Sequence, residues 1–166
     1  MADIGKTPAR LRVLPTEEYF SIVKHQLAAS GRAHVRVTGN SMYPLLHHLR
    51  DGVLLRTPEN IRPGDIVLFD RRNGRYALHR VISVRNGCIT MAGDNQWHFE
   101  RGLSCCQVVG VVTAVIRNGR EISTQKISMR IYAQAVRLLC LPRIYLYKAL
   151  QKFLKRKRNE TERMEP

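Results

Sequence analysis

No lysine occurs between His25 and Gln125. The basic residues of that span other than histidine are all arginines, which do not release their proton in proteins. A serine–lysine dyad built within it is therefore excluded. No acidic residue occurs from Lys126 to Arg158, a stretch holding ten basic ones. No C-x-x-C pair is formed by Cys88, Cys105, Cys106 and Cys140, and the six histidines are not at metal-ligand spacing from them. No metal or cofactor is expected, and the cysteines read as free thiols of a reducing compartment. No run of about 18 apolar residues is present, so no transmembrane helix is expected. The opening "MADIGKTPARLRVLPTEEYF" lacks the apolar core of a secretory signal or anchor. The expected location is cytoplasmic, peripheral on a membrane surface at most.

What is present fits one globular domain with an appended element. The chain has 166 residues, 44% of them hydrophobic, enough for a real core. The net charge of +15 implies an acidic partner, either nucleic acid or anionic lipid. Residues 16–30 read as a helix with Thr16 as N-cap, Glu17 and Glu18 at its positive end and Gly31 as its stop. Its apolar stripe is Tyr19, Ile22, Val23 and Leu27, with Phe20 beside them.

From residue 33 to 122 the pattern changes to short β-rich runs at 33–37, 52–56, 65–70, 76–84, 88–92 and 108–116. Pro63-Gly64, Asn73-Gly74, Asn86-Gly87 and Asn118-Gly119 separate runs, and Asn-Gly between apolar runs is a strong hairpin signal. The expected fold class is mainly β (α+β): a compact antiparallel β domain, one N-terminal helix and a basic amphipathic helical tail. The expected divisions are an arm and helix at 1–32, the β domain at 33–122, the tail at 123–156 and a disordered end at 157–166. In the tail, Ile127, Ile131, Ala135, Leu138, Leu139, Tyr145, Leu146, Leu150, Phe153 and Leu154 could share one side. Pro142 is expected to split it into two helices.

"GNSMYPLL", residues 39–46, places Ser41 in a turn. A serine nucleophile needs a base for its proton and donors for the oxyanion that forms. With lysine excluded, the base within the β domain is one of His34, His47, His48, His79 or His98. His79 lies inside the strand pattern "YALHRVISV", on one face with Ala77, Val81 and Ser83, where a neutral base is held rigidly and partly dried. His47 and His48 fall on a turn. In "MAGDNQWHFE", Asp94 and Glu100 are the carboxylates able to accept the second ring N–H.

The series "GNSMYP", "RPGDIVLF", "LHRVISV", "MAGDNQ" and "VVGVVTAV" resembles the signal peptidase I and SOS-repressor peptidase superfamily (S24/S26). The motifs fall in the family's order over roughly residues 33–116. The resemblance implies a mainly β fold with Ser41 as nucleophile. His79 stands where most of the family's bacterial signal peptidases and repressors carry lysine. That is similar to the archaeal, endoplasmic-reticulum and sporulation-type branch, whose "GDN" aspartates support the histidine. Asp94 matches the first of these and is expected to orient His79. Glu100 falls at the second, as a glutamate, and reads as a surface charge. Val53 follows Gly52 where an acidic residue is usual. Met42 reads as a packing residue; the resemblance further implies that a substrate groove runs beside Met42 and Pro44, where the Met42 backbone would matter. The Ser41 N–H, with the Asn40 side chain, is the expected oxyanion site.

The function expected is serine endopeptidase of the signal-peptidase-like type, cleaving an extended peptide or leader segment through an acyl-enzyme. Two alternatives are a peptide-binding module with weak or lost activity and a repressor-like self-cleaving regulator. The regulator is disfavoured because no Ala-Gly or Cys-Gly pair precedes Ser41 and 32 residues are too few for a helix-turn-helix. Expected partners are a peptide or precursor protein and an anionic membrane surface bound through residues 127–156. Nucleic acid is disfavoured for want of a recognition motif. Nothing in the sequence gives the oligomeric state.

Overall fold

The computed structural model describes residues 14–72 and 74–162, excepting the side chains of Leu141, Phe153 and residues 156–162. Helix α1 (Thr16–Ser30) precedes strands β1 (Arg32–Arg36), β2 (Asp51–Arg56), β3 (Ile66–Asp70), β4 (Tyr76–Arg85) and β5 (Cys88–Ala92). Strands β6 (Glu100–Ser104), β7 (Val108–Arg117) and β8 (Arg120–Ser123) follow, then helix α2 (Ile127–Glu162). The sheet order is β1-β2-β7-β3-β4-β5-β6, with β8 paired to β7, and every pairing is antiparallel. The fold is thus α+β and mainly β, as the sequence implies.

The six expected strands all form. Asn86-Gly87 and Asn118-Gly119 make the β4–β5 and β7–β8 hairpins, both residues of each pair having positive φ, the geometry of a type I′ turn. Asn73 of the third Asn-Gly pair lies outside the described residues. Strands β6 and β8 are additional. "ERGLS" and "REIS" have too few apolar residues to register as alternation, and neighbouring strands impose their pairing.

The sheet has a core on each face, because successive side chains in a strand point to opposite sides. Ile66 and Leu68 join Val35, Val53, Leu55 and Val112 beneath α1, which contributes Val23 and Leu27. Val67 and Phe69 join Val81, Ile89, Met91 and Val111 on the other face. Helix α1 has the expected extent and stops at Gly31 in the left-handed conformation. Its cap position, however, is Pro15, with no side-chain cap bond. Ile22 of the expected stripe is exposed.

Helix α2 departs most from expectation. It is one element with Pro142 inside it, not two. Proline removes one hydrogen-bond donor from the ladder, and the anchoring of the flanking residues on the sheet offsets that loss. It also runs through Glu162, into the segment expected to be disordered; residues 163–166 lie outside the described residues. Its inward side is Met129, Tyr132, Ala133, Val136, Cys140 and Ile144. Cys140 and Ile144 are buried with Ala92 of β5 against Ile82 and Phe99. The expected stripe is the outward side: Ile131 is 64% exposed, Leu138 74% and Leu146 72%.

Candidate active site

Ser41 lies in a turn between β1 and β2, half-buried. The turn is anchored at both ends. Leu49 N–H donates to Val37 O at 2.8 Å, and Val37 N–H to Asp51 O at 3.0 Å. Gly39 N–H donates to His48 Nδ1 at 2.8 Å. Beneath it, the buried Asp51 carboxylate accepts from Arg50, Arg117 and the His47 N–H. Burial acts to raise the Asp51 pKa, but these bonds hold it well below the usual carboxylate range. Asp51, one residue before Gly52, is an acidic group the sequence reading passed over while noting Val53 beyond that glycine.

Met42 is 2% exposed and packs in the α1-side core. It is a packing residue of that core, where a buried thioether fills space. Pro44 is exposed, as is Tyr43. Asn40 is exposed, and its carbonyl accepts from Tyr43 N–H at 3.2 Å and Asn95 Nδ2 at 3.3 Å. Among the described residues, the Ser41 N–H donates to no protein group.

His79 sits in the middle of β4, opposite Val67 of β3, and is 1% exposed. The Phe69 ring lies 5.7 Å from its own. Its carboxylate neighbour is Glu100, the first residue of β6, with Oε1 2.8 Å from His79 Nδ1. That is ion-pair distance, although Nδ1 makes no well-aligned hydrogen bond. Arg71 donates through Nε and Nη2 to the same carboxylate. Burial acts to raise the Glu100 pKa, but the contacts with His79 and Arg71 outweigh it and bring it to about 2. Glu100 is thus ionised across the neutral range.

Asp94 does not contact His79. Arg80, the next residue along β4, points to the other face and takes both Asp94 oxygens, at 2.8 and 2.7 Å. The pair is buried, 2% and 1% exposed, and Arg80 also donates to Gly64 O at 2.8 Å. Asp94 therefore holds Arg80, and Glu100 takes the place at His79 that Asp94 is expected to fill. The surface-charge reading of Glu100 is corrected as well, its side chain being 16% exposed.

The two halves of the site meet through β5 and the loop after it. Arg80 is in register with Ala92, the last residue of β5, and Gly93 opens the loop that follows. A Cβ on Gly93 would lie 2.6 Å from Ser41 O. Asn95 N–H donates to the same oxygen at 2.8 Å. From the other side, Arg143 of α2 donates to Asp94 O and Gln96 O, both at 2.6 Å. Trp97 stacks on Tyr147, with ring centroids 5.1 Å apart. Arg71, Arg80 and Arg143 are contributors the sequence reading missed. For Arg80 the adjacent "HR" was the available signal, since alternation sends the two side chains to opposite faces.

Of the remaining histidines, His47 packs half-buried against Tyr43, and His48 Nδ1 is occupied as an acceptor. His34 and His98 are exposed.

The described residues thus form a mainly β domain that carries a serine in an anchored turn and a buried histidine beside a carboxylate. A family model described as Peptidase S24-like matches residues 5–113, and the chain belongs to that family. A search of curated proteins returned no match.

Proposed function

We propose that the protein is a serine endopeptidase of the signal-peptidase-like type, with Ser41 as nucleophile, His79 as general base and Glu100 orienting the base. The observation that carries this reading is the contact of His79 Nδ1 with a Glu100 carboxylate that Arg71 anchors. A carboxylate at Nδ1 fixes the tautomer, leaves Nε2 to accept a proton, and stabilises the imidazolium that results. Lysine-free sequence from His25 to Gln125 supports it further.

In this mechanism His79 takes the Ser41 hydroxyl proton as Oγ attacks the substrate carbonyl. The Ser41 N–H, aided by the Asn40 amide, donates to the oxyanion. His79 then gives the proton to the departing amine. Water, activated by His79, hydrolyses the acyl-enzyme and releases Ser41. Asp94 acts at one remove: with Arg80 it holds the loop that bonds Ser41 O. The substrate is an extended peptide that adds to an edge of the sheet, where main-chain groups are free to pair. Both edges adjoin the site, since β1 leads into the Ser41 turn and β6 begins at Glu100.

The test is incubation of wild type, Ser41→Ala and His79→Ala with a peptide library, products being read by mass spectrometry. Cleavage by wild type alone is expected. Products that persist in Ser41→Ala would remove the nucleophile assignment. Binding of peptides without cleavage by any of the three would favour a peptide-binding module.

A further inference from the structure

We propose that the outward face of α2 is a docking surface for an anionic lipid bilayer, with the helix lying in the plane of the interface between the membrane and the β domain. The inference stands independently of the peptidase reading. Its first basis is an unpartnered apolar face. Ile131, Leu138, Leu139, Tyr145, Leu146 and Leu150 are each more than half exposed, while the opposite side of the same helix is packed on the sheet. At 1.5 Å per residue the face from Ile127 to Leu150 is about 36 Å long, far larger than the scattered apolar side chains normal on a protein surface.

The second basis is charge. At 100° per residue, Arg130, Lys148, Lys152 and Lys155, all exposed, follow one margin of that face. With no acid from Lys126 to Arg158, a second copy seated on this face would bring basic margins together without an acidic partner. Anionic headgroups meet the basic margin, and acyl chains meet the leucines. Nucleic acid would satisfy the basic margin but leave the apolar face in water. Spanning is excluded for this helix, since no helix among the described residues is long and apolar enough to cross a membrane.

The test is flotation of the full chain with vesicles of phosphatidylcholine alone and of phosphatidylcholine with phosphatidylglycerol. Two variants, Ile131→Ser/Leu138→Ser and Tyr145→Ser/Leu146→Ser, alter only outward side chains, so far-UV circular dichroism and melting temperature are expected to match wild type. Lys148→Gln/Lys152→Gln alters the basic margin. Wild type is expected to float with the anionic vesicles, each apolar variant to lose roughly tenfold or more in affinity, and the charge variant to bind more weakly with a flatter salt dependence. Three results would each overturn the proposal. One is failure of wild type to float with anionic vesicles. Another is equal binding by both folded apolar variants. The third is a self-associated species, seen by light scattering, that the apolar variants dissolve while wild type ignores vesicles.

Discussion

His79 and Arg80 are adjacent, yet each takes a different carboxylate, because alternation along β4 sends them to opposite faces of the sheet. Glu100 meets His79 on one side, and Asp94 is enclosed with Arg80 on the other. Two substitutions separate these roles. Glu100→Gln is expected to lower the turnover of a cleavable peptide on the order of 10²-fold or more with kcat affected more than KM, since the base loses its orienting charge. Asp94→Asn leaves a buried guanidinium without its counter-charge and is expected to cost about 3–5 kcal/mol by denaturant unfolding. The reverse pattern would return the orienting role to Asp94. Gly93→Ala is a third case: its Cβ would press on Ser41 O at 2.6 Å, and that atom is backbone, which cannot swing aside. Activity is expected to fall at least about tenfold through displacement of the Ser41 turn, with far-UV circular dichroism unchanged.

The Glu100 pKa also gives a pH dependence. Its folded value, about 2, lies below its ordinary value of 4.5. A depressed carboxylate contributes stability above the unfolded pKa, and that contribution is lost as pH falls through the folded value. The gap in unfolding free energy between wild type and Glu100→Gln is therefore expected to be constant above about pH 5 and to shrink steadily toward pH 2. Urea titrations at several pH values measure it, and a gap independent of pH would mean that the contacts with His79 and Arg71 do not favour the ionised carboxylate.

At the scale of elements, α2 is part of the candidate site's support. Arg143 reaches the carbonyls of Asp94 and Gln96, and the same loop bonds Ser41 O through Asn95. Replacing Arg143 with leucine removes two charge-assisted bonds, each worth about 1.5–3 kcal/mol. A loss of about 2–4 kcal/mol in unfolding free energy is expected after partial relaxation, together with a fall in kcat as the loop loosens. The side of α2 that packs on the sheet was not legible in the sequence, because its outward leucines and isoleucines are larger and more regular than the inward Ala133, Val136 and Cys140. The small inward residues let the helix approach the sheet closely, and the arginines among them are held by carbonyls that lie far off in sequence. β6 was illegible for the same kind of reason: "ERGLS" pairs because β5 offers an edge, not because its own pattern demands a strand.

For the whole molecule, α2 packs on the β domain through Cys140, Ile144 and Arg143. Removal of everything after Lys126 would uncover Ala92 and Ile82 and strip the loop at Asp94 of Arg143. Such a truncation is expected to lower the melting temperature and to weaken cleavage even if the tail touches no substrate. The sequence by itself determined the strand series, two of its hairpin turns, the serine in its turn, and that a candidate base within the β domain is histidine, since lysine is absent. These follow from local rules of backbone conformation and from which side chains can lose a proton. Tertiary structure alone decided which carboxylate serves His79, which face of α2 is buried, and that Arg143 braces the serine's loop. Each of those depends on which distant strand or loop comes within a few ångströms, and at that range burial and charge pairing outweigh what any short segment prefers.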